Sequence, residues 1–194
     1  MKRTFEEKQN LTEDDVRTRL KELSSPMIKS EYLENLLKRM AIQPNIKIFA
    51  AKNLSELYAQ RGLWSSAGRV LESAAEAATV FSERKSLFIA VGVFYIKSMD
   101  YILADDAFRK AIDAASPGEK ATLAKDIRNI FIRDADAMNA DGKIAKAVKL
   151  YERMLRSSAD ISEKKKIMSN LVVLYDKLAR IPDAIQMREA LKNM

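Results

Sequence analysis

Four alanines, Ala67, Ala104, Ala147 and Ala184, stand 37, 43 and 37 residues apart, and each follows a bulky apolar residue by three positions: Trp64, Tyr101, Ile144 and Ile181. Four residues after them come Leu71, Phe108, Tyr151 and Arg188, and seven after come Ala74, Ala111, Met154 and Leu191. Upstream, Tyr58, Tyr95, Met138 and Tyr175 keep the same offsets, each preceded by three positions by Ser55, Gly92, Ala135 or Val172. Spacings of three, four and seven are those of one helix face. Small residues let paired helices approach, and the bulky residue at the start of the second helix fills the gap beside the turn. A period of this size marks a stack of helical hairpins.

The rest of the chain agrees with that pattern. Only 5 glycines and 4 prolines occur in 194 residues, too few turn formers for a fold of many short strands. Hydrophobic residues make up 47%, enough for a packed core. Pro44 suits the first position of a helix running from about Asn45 to Gly62. A second helix follows from Trp64, a third capped by Ser82, and a fourth from Tyr101 after the turn Ser98-Met99-Asp100. Ser116-Pro117-Gly118-Glu119 reads as a capping box opening a long helix to about Ala140, ended by Asp141-Gly142. Asp160 to Glu163 starts another helix, and Ile181-Pro182 turns the chain into the last. Upstream, Thr12 to Asp15 starts a helix with acids where the helix dipole favours them, and Ser25-Pro26 separates it from one at about 28–42.

The expected fold is all-α, with about ten helices and no strands. Residues 1–11 form a flexible tail. Residues 12–194 form one array: a degenerate hairpin at 12–44, then repeats at about 46–80, 82–116, 118–159 and 162–194. Trp64, Tyr101, Ala67, Ala104, Tyr58 and Tyr95 are expected in its core.

The run Ala51, Leu54, Ser55, Tyr58, Gly62, Trp64, Ala67, Leu71, Ala74 resembles the tetratricopeptide repeat family in its spacing. Val91, Gly92, Tyr95, Tyr101, Ala104, Phe108 and Ala111 follow it nearly as well. The third copy departs at Asp134, and the fourth at Arg188. The resemblance implies a right-handed hairpin solenoid whose first helices line a concave groove. It places Lys52, Asn53, Glu56, Ile89, Val93, Lys97, Arg133 and Asn170 along that groove as partner-binding residues. Lys52 and Asn53 match the family members that clamp a peptide carboxylate. Glu56 stands where the clamp wants asparagine, and Ile89 and Val93 replace polar groups. The apolar trio Ile89, Val93 and Ile96 is either covered by a neighbouring helix or is a strip that takes a partner's helix or extended peptide.

Absent residue types narrow the chemistry. Without Cys or His there is no thiolate nucleophile, no imidazole base, no zinc-thiolate site and no His-based triad. No two glycines are close enough to build a phosphate loop. Asp105-Asp106 and the pair Asp134/Asp136 lack the spaced oxygen ligands of a calcium loop. No catalytic residue, metal or cofactor is expected.

The expected function is that of a scaffold or adaptor protein binding a protein or peptide with an acidic segment. The alternative is a nucleic-acid-binding array, because the formal charge is +7 and the last 76 residues carry +5 of it. Its densest run is Lys164-Lys165-Lys166, which points three ways around a helix, and no aromatic residues interleave with the basic ones. The last helix would present Met187, Leu191 and Met194 on its outer face, so either self-association covers them or they turn inward. The charged start Met1-Lys-Arg-Thr-Phe-Glu-Glu-Lys has no apolar stretch behind it, and no apolar run approaches the roughly 20 residues that span a bilayer. A cytoplasmic protein with no membrane insertion is expected.

Overall fold

A computed structural model of the protein describes residues 11–39, 42–158 and 160–194. Among the described residues there are ten helices and no strand. In order they are α1 (Glu13–Glu22), α2 (Pro26–Leu37), α3 (Pro44–Gln60), α4 (Trp64–Ala77) and α5 (Phe81–Ser98). Then follow α6 (Tyr101–Asp113), α7 (Lys120–Ala140), α8 (Ile144–Ser157), α9 (Ile161–Lys177) and α10 (Ile181–Lys192). No described helix is long and apolar enough to cross a membrane. The expected tail lies outside the described residues except for Leu11, which packs on the core of the first helices.

The helix starts follow local chemistry. Thr12 Oγ1 accepts from the Asp15 amide at 3.2 Å while Asp15 accepts from the Thr12 amide at 3.1 Å, a complete capping box. Ser25 caps α2 by accepting from the Ile28 amide at 3.2 Å, and Asp160 caps α9 by accepting from the Glu163 amide at 2.8 Å. Two expected starts move. Ser82 does not cap α5, which begins one residue earlier behind Val80 with no side-chain cap. Glu119 accepts from the Ser116 amide at 3.1 Å, but helix α7 begins only at Lys120. Lys85 and Ser116 hold the Glu119 carboxyl down at about 2.

The turns between α3 and α4, α5 and α6, α7 and α8, and α9 and α10 share one geometry. Gly62, Met99, Gly142 and Ala179 all have positive φ (73°, 66°, 75° and 55°). Their offsets are the same 37, 43 and 37 residues that separate the four alanines. In each turn the next amide reaches back five residues: Leu63 to Tyr58 O, Asp100 to Tyr95 O, Lys143 to Met138 O and Arg180 to Tyr175 O, at 2.8–2.9 Å. These bonds close the orphan carbonyls of a helix end around one left-handed residue. The last turn is thus made at Ala179, before Ile181-Pro182, and Pro182 lies inside the first turn of α10.

A side chain other than glycine costs about 1–2 kcal/mol in the left-handed region. Met99 is 44% exposed and loses little packing when shortened. Met99→Gly and Ala179→Gly are therefore each expected to stabilise the fold by about 0.5–1 kcal/mol in urea unfolding. A loss of stability in both would show that these turns do not have the described geometry.

The chain divides into two compact units, one up to Lys120 and one from Ala121. In the first, α1 and α2 pack on α3 around Val16, Leu33, Leu36, Ile46, Ala50 and Leu54. Successive packing of α3 on α4, α4 on α5 and α5 on α6 continues the unit. Ala67 and Ala104 are fully buried and Tyr95 nearly so, as expected, whereas Trp64, Tyr101 and Tyr58 are only half-buried. In the second unit α9 packs on both α8 and α10, burying Val148, Leu150, Tyr151, Ile167, Leu171 and Ala184.

One tyrosine–carboxylate bond recurs between a second helix and the first helix of the next pair. The hydroxyls of Tyr58, Tyr95 and Tyr175 donate to Glu34, Glu72 and Glu152 at 2.7, 2.8 and 2.8 Å. Where the third copy has Met138, the glutamate is also absent: Arg109 stands in register with Glu72 and Glu152.

Candidate functional site

A groove of about 210 Å³ runs between α3 and α5, with α4 behind it. Leu71, Leu87, Ala90 and Phe94 supply its apolar wall, and Lys52, Glu56, Glu83 and Ser86 its polar edge. The helix period explains the arrangement. Lys52 and Glu56 are four apart on α3, and Glu83, Ser86, Leu87, Ala90 and Phe94 fall at three- and four-residue steps on α5. Across the groove Lys52 Nζ lies 3.0 Å from Glu83 Oε1, an exposed ion pair.

Of the residues expected to bind a partner, Lys52 and Glu56 line this groove. Asn53 is half-buried and donates to its own helix, to Phe49 O at 2.8 Å, so its amide is committed locally. Ile89 and Val93 are half-buried, whereas Ile96 is 1% exposed and belongs to the core. The apolar trio is thus not a continuous exposed strip. Lys97 is exposed, with Nζ 4.8 Å from the centre of the Trp64 ring, and that ring stacks on Phe94 at 6.3 Å. Arg133 and Asn170 belong to the second unit. Arg133 is exposed on α7, and Asn170 Nδ2 donates to the Tyr151 hydroxyl at 3.2 Å. The other lining groups were not among the residues expected to bind a partner. Leu71 and Phe94 sit on apolar stripes that read as plain core, and Glu83 meets Lys52 only through tertiary structure.

A second hollow of about 240 Å³ is lined by Phe81, Arg84, Lys110, Asp113 and Ala114. Its lysine is committed. Lys110 Nζ lies 2.9 Å from Glu72, 3.2 Å from Asp106 and 3.4 Å from Glu76, and 5.4 Å from the Phe88 ring centre. The bond to Glu72, followed by that to Asp106, raises its pKa despite partial desolvation. A lysine held cationic offers no free amine to act as nucleophile or base. Asp136 accepts from the Tyr151 hydroxyl, so that carboxylate too has a structural role. Among the described residues no three carboxylates gather where a metal ion could be shared.

The outer end of α10 differs from its expected pattern. Met187 and Leu191 are half-buried, while Ile185 and Met194 are exposed. Arg188, in the register of Leu71, Phe108 and Tyr151, points to solvent and pairs with Asp176 at 2.5 Å.

Compared with protein-family models and with curated proteins, the chain matches none.

Proposed function

We propose that the protein is a non-enzymatic scaffold or adaptor, a tetratricopeptide-like hairpin array that holds a partner's peptide or helix against the first helices of its hairpins. The observation that carries the reading is the α3–α5 groove: an apolar wall of Leu71, Leu87, Ala90 and Phe94 beside an ionic edge. The four matching turns support the hairpin array. A groove with a hydrophobic wall and a few placed charges takes an amphipathic segment through apolar burial and reads its flanks through the charges. Lys52 and Lys97 favour a segment with acidic flanks, a preference that salt weakens.

The test is the double reversal Lys52→Glu with Lys97→Glu, first checked for an unchanged circular dichroism spectrum. Peptides with an apolar centre and acidic flanks are selected on the parent protein from a displayed library. They are expected to bind the variant at least tenfold more weakly, because reversal also leaves Glu83 without its cation and adds acid to the rim. Undiminished binding places the partner surface elsewhere.

A further inference from the structure

Helix α8 carries a charge pattern that none of its counterparts has. Lys146, Lys149, Arg153 and Arg156 follow at steps of three, four and three, which puts them on one face. Opposite that face Ala147, Val148, Tyr151 and Met154 are buried. At the same four positions α4 has Ser66, Arg69, Ser73 and Glu76, with no net charge; α6 has Asp106, Lys110 and Asp113; and α10 has Asp183 alone. The pattern is therefore not a requirement of the hairpin architecture.

Three of the four basic groups have no acid beside them. Lys146, Lys149 and Arg156 are exposed, and no described carboxylate forms an ion pair with any of them. Glu152, the only acid on α8, takes the Tyr175 hydroxyl at 2.8 Å and Arg180 at 3.3 Å. Asp160 caps α9, and Glu163 is held by Ser158 at 2.6 Å and Arg128 at 3.2 Å.

We propose that the α8 face of the second unit binds the phosphate backbone of double-stranded nucleic acid, independently of base sequence. This surface is distinct from the peptide groove. Ten residues of helix span about 15 Å, and a duplex strand presents about four phosphates over that length, enough for Lys146, Lys149 and Arg156 each to meet one. No aromatic side chain lies on the stripe to stack an unpaired base, which favours a duplex over a single strand. The apolar side of α8 is buried in its own unit, so the helix has no free apolar edge to sink into a lipid surface.

The experiment measures anisotropy of fluorescein-labelled DNA and RNA duplexes with the full chain over a range of salt. Neutralising about three phosphates predicts a slope of log K against log salt near −2.7. The triple variant Lys146→Gln, Lys149→Gln, Arg156→Gln changes exposed residues only and is expected to remain folded. Its slope should fall close to zero, with at least a tenfold loss at low salt. A control, Lys21→Gln, Lys38→Gln, Lys120→Gln, removes the same charge from exposed sites elsewhere and should bind as the parent does. Equal losses in both variants, or no duplex binding at low salt, overturn the proposal. So does α8-dependent binding to phosphatidylserine vesicles or to polyglutamate without binding to either duplex.

Discussion

Gly92→Ala is expected to destabilise the protein by about 1–3 kcal/mol, although the same change in an ordinary helix interior stabilises by up to about 1 kcal/mol. A Cβ at this position would lie 2.5 Å from Cε1 and 2.6 Å from Cζ of Phe108. Phe108 is 2% exposed, so its ring cannot swing into solvent to make room. Either the ring or the α5–α6 spacing has to shift. The first hairpin shows the remedy: in register with Gly92 and Phe108 stand Ser55 and Leu71, a larger residue facing a smaller one. Phe108→Leu in the Gly92→Ala background should therefore recover part of the loss. The double-mutant cycle should show a coupling of about 0.5–3 kcal/mol. Measured in urea, a Gly92→Ala protein as stable as its parent, or strictly additive changes, would falsify the close α5–α6 approach.

That pair of residues also shows what the sequence can and cannot reveal. Small-against-large compensation is legible because both members repeat at fixed offsets, and so the all-helical fold and three of the four tight turns could be read in advance. Gly62 and Gly142 announce their turns by residue type. Met99 takes the same left-handed position without being glycine, inside the turn Ser98-Met99-Asp100 that its neighbours mark, whereas only the common offset points to Ala179. At Ala179 the nearby Ile181-Pro182 draws attention to the wrong residues, since proline also sits comfortably inside a helix's first turn.

The candidate site was less legible, for a different reason. Helix periodicity tells which side of a helix is apolar, and it says nothing of what a polar side chain reaches for. Asn53 turns to the carbonyl of Phe49, Lys97 lies over Trp64, and Lys52 finds Glu83 on another helix, 31 residues away. Ile96 shares the helical face of Ile89 and Val93, yet it is buried while they are half-exposed. The α8 stripe was hidden behind the lysine run at 164–166, which is denser in sequence but spreads around its helix. Four basic residues spaced three and four apart gather more charge on one side than three consecutive ones.

Alkaline pH is expected to unfold the protein between about pH 10 and 12, with tyrosine ionisation and helix loss occurring together. Tyr95, Tyr151 and Tyr175 are at most 4% exposed, and Tyr58 is half-buried. Burial disfavours the phenolate in all four. Bonds to Glu72, Asp136, Glu152 and Glu34 raise their pKa values further, that of Tyr58 to about 12. The unfolded chain releases these protons near the ordinary value of about 10. Below that pH both states hold them, and the stabilisation is complete. Above it only the folded state does, so stability falls until the folded groups titrate too. Each buried tyrosine costs about 1.4 kcal/mol per pH unit in that window. Three therefore remove at most about 4 kcal/mol per unit, less whatever solvent screens at the hydroxyl end, against a total stability of about 5–15 kcal/mol. Lys110 acts in the same direction, since its raised pKa means that the cation bound to Glu72 is lost on alkaline unfolding. Replacing Tyr95 and Tyr175 by Phe should flatten the alkaline limb while costing about 1 kcal/mol per lost hydrogen bond at neutral pH. Tyrosinate absorbance rising smoothly near pH 10 with the helical circular dichroism intact would mean that the hydroxyls are solvated and the tyrosine–carboxylate bonds do not form.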